Sequence, residues 1–251
     1  MPNLRFAAPV ERRVAIVTGG ARGIGRASAL RMAEEGRDIV IADLQDEHGA
    51  SAVAEIEALG QRALYIPTDV TDEAAVHEMV AQTVAVFGRL DILVCCAGIL
   101  GKELPFLEQS AAQFDKVMKI NVYGIYYAHQ AAVPHMLAGG WGRCVSITSG
   151  ARHGATNQVP YGVSKGAVHS FIGALGNAWP KQNVFVNGVE PGRALTDMVV
   201  PRFTPEFLAN PGNPIGRYSD AEEVAEVIEF LCSERNTYTT GSVWSVKGAT
   251  G

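Results

Sequence analysis

With 251 residues, 47% of them apolar, the chain can bury a large core as one α/β domain without metal or disulfide staples. Its 26 acidic and 21 basic side chains are dispersed and sum to a net charge of −5, which leaves no basic stripe for a nucleic acid and argues against that partner. Cys95, Cys96, Cys144 and Cys232 lack zinc-site spacing and fit a reduced, cytoplasmic setting, while no stretch approaches the ~18 apolar residues of a membrane span and the segment up to Glu11, with Arg5 its single basic side chain, does not read as a secretory leader.

In chain order, the apolar β-branched run Val14 to Val17 predicts a buried strand that stops at glycines, with a helix directly after it. The alternation repeats: strand 38–42, helix 46–59, strand 63–66, helix 72–87, strand 91–94. One long helix is expected over 114–137 despite Pro134, then a strand over 143–148, a helix from Tyr161 to Trp179 ended by Pro180, and a strand over 184–189. The interval from Pro191 to Pro214 breaks the rhythm. Rich in proline yet carrying Val199, Val200, Phe203, Phe207 and Leu208, it reads as a substrate lid over 193–216 or as an ordinary packed loop. An amphipathic helix over 220–232 and a last strand over 242–246 complete the chain. Strands alternating with helices imply right-handed crossovers, hence a doubly wound, Rossmann-like parallel sheet in a single domain.

The turn Thr18-Gly19-Gly20-Ala21-Arg22-Gly23-Ile24-Gly25 joins the first strand to the first helix, where backbone amides and the helix dipole favour a pyrophosphate. Gly19 suits the tight turn, Gly23 the approach of phosphate and Gly25 close helix packing, although the spacing departs from the usual dinucleotide fingerprint. Asp43, at the end of the second strand, is placed to accept hydrogen bonds from an adenosine ribose and to repel a 2′-phosphate, which favours NAD; a helix-cap role is the alternative. Arg22 argues the other way, since its guanidinium can receive that phosphate and admit NADP. Asp69-Val70 ends the third strand at the adenine side, where a plain turn aspartate is the competing reading.

Tyr161 and Lys165 stand four apart on one helix face, and Ser149 follows the strand that ends on the ligand-binding side of the sheet. A tyrosine of ordinary pKa, about 10, is a poor base near neutrality, but a neighbouring ammonium favours its phenolate. Ser149 can then donate to a substrate oxygen while Tyr161 takes the hydroxyl proton, and no metal is needed.

Taken in order, Thr18-Gly19-x-x-x-Gly23-x-Gly25, Asp69-Val70, Ala97-Gly98, Asn121-Val122-x-Gly124, Ser149, Tyr161-x-x-x-Lys165 and Pro191-Gly192 resemble the short-chain dehydrogenase/reductase family over almost the whole chain. The resemblance implies that Asn121 completes a catalytic tetrad by holding a water that relays protons to Lys165. It also implies that Lys165 holds the nicotinamide ribose, that Thr196 meets the carboxamide, and that the protein is a homotetramer with the Tyr161 helix and the final strand at interfaces. Three departures stand out. Cys95-Cys96-Ala97-Gly98 replaces the family's common Asn-Asn-Ala-Gly, Lys247 stands where an aspartate is frequent, and twelve positions separate Ser149 from Tyr161, near the family's short end, which keeps Thr148 as a second hydroxyl candidate.

The substrate wall is expected from Gly150 to Pro160 and from the lid, with His153, Gln158, Arg193 and Arg202 as polar contacts and the arginines suited to a carboxylate or sulfonate. The expected activity is NAD(H)-dependent interconversion of a secondary alcohol and its ketone, of medium size and cyclic or aromatic to suit the mixed apolar lining. The rivals are an NADP-dependent carbonyl or 3-oxoacyl reductase and a non-catalytic dinucleotide-sensing or scaffold protein.

Overall fold

A computed structural model describes residues 12–196 and 204–249. Arg202, Val199, Val200 and Phe203, expected in the lid, lie outside the described residues, as does Arg5. The described chain forms β1 (Val14–Thr18), α1 (Gly23–Glu34), β2 (Asp38–Asp43), α2 (Asp46–Ala58), β3 (Ala63–Pro67), α3 (Glu73–Phe87) and β4 (Ile92–Cys95). There follow α4 (Ala111–Met118), α5 (Gly124–Gly139), β5 (Gly142–Ile147), α6 (Val159–Gly176), β6 (Val184–Pro191), α7 (Pro205–Ala209), α8 (Ala221–Leu231) and β7 (Val243–Val246). The strands make one parallel sheet in the order β3-β2-β1-β4-β5-β6-β7. Strand order reverses between β1 and β4, which opens a crevice at their C-terminal ends.

Alternate residues of each strand feed two cores. Ile16, Val40, Leu93 and Val186 face Met79, Ala128, Met136 and Ile172 of α3, α5 and α6. On the other face, Val17, Ile41, Val94 and Val145 pack on Met32, Ile56, Val224 and Ile228 of α1, α2 and α8. Each such side chain contributes roughly 1.5–3 kcal/mol on burial, so covering both faces is what holds the sheet. At the opposite edge from the crevice, buried Asp91 accepts from Arg13 Nη1 at 2.9 Å and from the Val14 amide at 3.0 Å, tying β1 to β4.

Helix termini follow local chemistry. Asp72 caps α3 by accepting from the Ala74 and Ala75 amides, and Gly88, at φ 78°, ends it in the left-handed region. Asp220 and Glu223 form a capping box on α8, so Asp220 is its cap and not its first turn. Two expectations need correction. The helix expected over 114–137 is two helices joined by a π-helical turn, Lys119–Tyr123. The helix carrying Tyr161 starts earlier, at Val159, with Pro160 in its first turn, and stops at Gly176, where a Cβ would lie 2.1 Å from the Gly241 Cα. The lid interval holds the short helix α7, capped by Thr204, and an isolated bridge between Ala194 and Ser219.

Candidate active site

The C-terminal ends of β1 and β4 meet at the glycine turn. Gly19 has φ +65°, and a Cβ there would sit 2.6 Å from the Ala97 nitrogen, so the turn lies directly against the Ala97-Gly98 backbone. A Cβ on Gly25 would come within 2.1 Å of the Gly19 oxygen, which is how closely α1 folds back on its own turn. Arg22, the N-cap of α1, is exposed and provides no side-chain cap bond. The first helical amides next to Gly23 and Ile24 thus open toward a cleft that suits an anion. Thr196 comes back from the loop after β6 to this turn, 3.5 Å from where a Gly23 Cβ would be.

Asp43 accepts from the Ala21 amide at 3.2 Å and from the Leu44 amide at 2.7 Å, so its carboxylate faces the glycine turn. Asp69 closes a local turn, accepting from the Thr71 amide at 2.9 Å and the Thr71 hydroxyl at 2.8 Å, while Val70 is buried against Gly124. The residues present fit a dinucleotide: a cradle from which side chains are excluded, a helix N-terminus without a side-chain cap, and a carboxylate one strand away.

The chemical end is built on α6. Lys165 is buried, and its Nζ donates to the Ile147 carbonyl at 2.7 Å and lies 5.7 Å from the Tyr161 ring centre. Burial pulls the Lys165 pKa down to about 8, still above neutrality, so the ammonium persists at pH 7. Asn121, fully buried in the π turn, is fixed on three sides. Its Nδ2 donates to the Ile99 carbonyl at 2.9 Å and to Ser164 Oγ at 3.0 Å, and its Oδ1 accepts from the Ile99 amide at 2.9 Å. Ser164 in turn donates to the Tyr161 carbonyl at 2.7 Å. A Cβ on Gly98 would stand 3.2 Å from Asn121 Oδ1 and 3.8 Å from Lys165 Nζ, so glycine at 98 keeps open the space between the two groups.

Ser149 is half-buried and caps a 3-10 turn, Gly150–His153, with its Oγ accepting from the Ala151 amide at 3.2 Å. That bond leaves the Ser149 O–H available as a donor. Thr148 is buried, and its hydroxyl donates to the Val189 carbonyl at 3.3 Å, within the sheet. Gly192 is pinned by its amide to the Val246 carbonyl at 2.7 Å, which fixes the backbone after Pro191. Cys95 and Cys96 carry no disulfide; burial pushes the Cys95 thiol up to about 12 and the Cys96 thiol higher still. Both remain neutral thiols near neutral pH.

Of the expected substrate contacts, Gly150 belongs to the serine turn, His153 is exposed, and Gln158 is the N-cap of α6. Arg193 donates to the Asn210 carbonyl at 3.1 Å and stacks over Phe207, so it braces α7. Two residues near the site escape a motif reading. Ser164, which joins Asn121 to the Tyr161 backbone, is signalled only by its place between Tyr161 and Lys165. Glu190 is signalled by the one charge in a buried strand, at its C-terminal end. Among the described residues, no cluster of His, Cys, Asp and Glu is placed to hold a metal, and no helix is long and apolar enough to cross a membrane.

The family model described as enoyl-(acyl carrier protein) reductase matches residues 19–249. The chain belongs to the short-chain dehydrogenase/reductase family of oxidoreductases. It is 35% identical over 246 residues to the 2-dehydro-3-deoxy-L-rhamnonate dehydrogenase (NAD(+)) of Sphingomonas sp. (strain SKA58), covering 97% of each chain. It is 37% identical over 241 residues to the cis-4-hydroxycyclohexanecarboxylate dehydrogenase of Sinomonas cyclohexanicum, covering 94% of this chain and 95% of that one. Among solved structures, an NAD+-bound xylitol dehydrogenase superposes with a TM-score of 0.90 at 30% identity, covering 94% of this chain and 98% of the other.

Proposed function

We propose that the protein interconverts a small secondary alcohol and its ketone with NAD(H), using Tyr161 as the proton-transferring residue. The observation that carries this reading is the convergence of Tyr161, Lys165 and Asn121 beside Gly98, at the mouth of the crevice that begins with the glycine turn. When bound, the nicotinamide supplies the hydride acceptor in oxidation and the donor in reduction. In oxidation, Ser149 donates a hydrogen bond to the substrate oxygen and Tyr161, as phenolate beside the Lys165 ammonium, takes the hydroxyl proton. In reduction the Tyr161 hydroxyl returns that proton to the developing alkoxide. Asn121 holds the water through which Lys165 exchanges protons with solvent. Ser149 is favoured over Thr148 because the Thr148 hydroxyl is already used inside the sheet.

The glycine turn with Gly19, Arg22, Gly23, Ile24 and Gly25, together with Asp43, Val70, Ala97, Gly98, Pro191, Gly192 and Thr196, is assigned to the dinucleotide, with Asp69 beside the adenine. The Asp43 carboxylate, aimed at the turn, favours NAD over NADP. The NAD named for two of the relatives above agrees with that preference. Those relatives are named for hydroxylated acids or a polyol, which supports a small polar secondary alcohol as substrate. The described parts of the loop after β6, 193–196 and 204–216, are assigned to a lid, and Gly150, His153 and Gln158 to the substrate side, with Arg193 bracing the lid helix α7. Exposed Tyr123 of the π turn, Tyr126 of α5 and Trp244 of β7 suit self-association, for which a homotetramer is the assembly expected from the family resemblance, and the cysteines suit a cytoplasmic location.

The test is binding of NADH and NADPH to the purified protein, followed by turnover of a panel of secondary alcohols and ketones with the preferred dinucleotide. Tighter NADH binding with turnover supports the reading, NADPH preference replaces it with a reductase using NADP, and binding of neither removes it.

A further inference from the structure

Glu190 is fully buried at the C-terminal end of β6, immediately before Pro191-Gly192. A carboxylate removed from water is retained only with strong partners, and this one has two. Its Oε2 accepts from Arg152 Nε at 2.5 Å, and its Oε1 lies 2.6 Å from Lys247 Nζ. These cations come from different parts of the site. Arg152 belongs to the 3-10 turn that Ser149 caps, and its amide donates to the Ser149 carbonyl at 3.1 Å. A Cβ on Gly150 would stand 3.9 Å from Glu190 Oε1, so the carboxylate lies directly behind the serine turn. Lys247 follows β7 in the C-terminal tail, and both of its chain neighbours are tied down. The last residue of β7, Val246, accepts at its carbonyl from the Gly192 amide at 2.7 Å, on the dinucleotide side, and the tail's Gly248 carbonyl accepts from the Ile215 amide of the loop after β6 at 3.3 Å. Gly192 has no room for a Cβ, which would lie 2.9 Å from the Lys247 Cα.

We infer that Glu190 is a positioning residue: it clamps the Ser149 turn, through Arg152, to the C-terminal tail and the substrate loop, through Lys247. The inference rests on the proposed role of Ser149 for its kinetic consequence, but the clamp itself is a property of the chain. His169 of α6 also faces it, and that imidazole supplies no second anion. Among the described residues Glu190 is the carboxylate paired with both cations. The arrangement gives Lys247 a use: it is the tail residue that meets the buried carboxylate. The loop carrying Ile215 is thereby linked through the tail to the turn that holds the Ser149 hydroxyl.

The experiment is hydrogen–deuterium exchange on the full chain without ligand, comparing wild type with Glu190→Gln and with Lys247→Met. Exchange at the amides of Arg152, Gly154, Gly192 and Ile215 is expected to quicken about tenfold in both variants, with the β1 amides unchanged. Lys247→Met, altering a half-buried side chain in place of the fully buried one, serves where Glu190→Gln does not fold. Acceleration confined to Gly192 and Ile215, with the serine turn unchanged, overturns the coupling. A second arm reads steady-state kinetics on an active secondary alcohol. Glu190→Gln is expected to lower kcat about tenfold without changing the NADH Kd, and to cause no further loss in a Ser149→Ala background. An equal loss in both backgrounds means a general structural role and refutes positioning through Ser149. If wild type turns over no alcohol or ketone, the proposed function fails while the exchange arm still decides the clamp.

Discussion

Replacing Asp43 by Asn keeps the shape of the side chain and removes its charge. In the structure the carboxylate accepts from the Ala21 amide at 3.2 Å and the Leu44 amide at 2.7 Å, so it lies at the rim of the glycine turn where an adenosine ribose would rest. A 2′-phosphate seated about 4 Å away would be repelled by ~1 kcal/mol per unit charge in a water-like medium and by ~4 kcal/mol at an effective dielectric near 20. With ~1.4 kcal/mol for each factor of ten, those limits correspond to roughly sixfold and roughly a thousandfold. Asp43 is half-buried at an open cleft, which places the effect toward the lower limit. Asparagine also loses one acceptor toward the ribose hydroxyls, weakening NADH. The ratio of NADPH to NADH dissociation constants should therefore fall about tenfold or more. Fluorescence titration of both reduced dinucleotides measures the ratio, and the melting temperature checks that the fold is kept. A ratio unchanged within about twofold, in a variant that melts like wild type, would refute the assignment of Asp43 to the ribose.

Tyr161→Phe is expected to abolish turnover while leaving NADH binding within a few-fold of wild type, as read by steady-state kinetics and fluorescence titration; near-normal turnover removes Tyr161 from the chemistry. Gly25→Ala places a methyl where the Gly19 oxygen stands 2.1 Å away, so it should lose dinucleotide binding and melt several degrees lower, and an unperturbed Kd would show that the turn is not the binding cradle. Lys165 is expected to depress stability at neutral pH. Burial lowers its folded-state pKa to about 8 from an ordinary 10.5, so below pH 8 the fold carries the full cost of the buried ammonium, and that cost disappears as pH rises through 8 to 10.5. In chemical denaturation without ligand, Lys165→Met should accordingly be more stable than wild type at pH 7, by an amount that shrinks across this window; a constant difference would contradict the assigned shift.

Most of the scaffold is legible in the sequence because a parallel sheet covered on both faces demands short apolar runs, and Val14 to Val17 or Val184 to Val189 have no other stable use. The glycine turn and the Tyr161–Lys165 spacing are legible for a similar reason: backbone contact and a shared helix face impose local patterns. The Glu190 pairs are not, because Arg152, Glu190 and Lys247 are distant in sequence and meet only when β6, the serine turn and the tail are assembled. The same holds for Cys95, whose neutral state comes from burial at the end of β4 between β1 and β5. The short helix α7 was hidden by proline, which reads as a breaker although Pro205 occupies the first helical turn, where its missing amide costs nothing.

The expectation of one continuous helix over 114–137 fails at Lys119–Tyr123, and the failure has a geometric meaning. An α-helix advances about 100° per residue, so the wider π turn acts as a phase offset of about one residue between two otherwise regular helices. Upstream, α4 is aligned to pack on α6; downstream, α5 is aligned to pack on α3 and the sheet. Winding the same residues as a regular α-helix would rotate one partner by about 100°, turning either the α6-facing side of α4 or the core-facing side of α5 away from its neighbour, whereas deleting a single residue from the turn would regularise the backbone hydrogen bonds and keep both faces in place. The irregular turn is thus what lets two helix faces, each with its own periodicity, be satisfied by one stretch of chain, with Asn121 held at the point where they change phase.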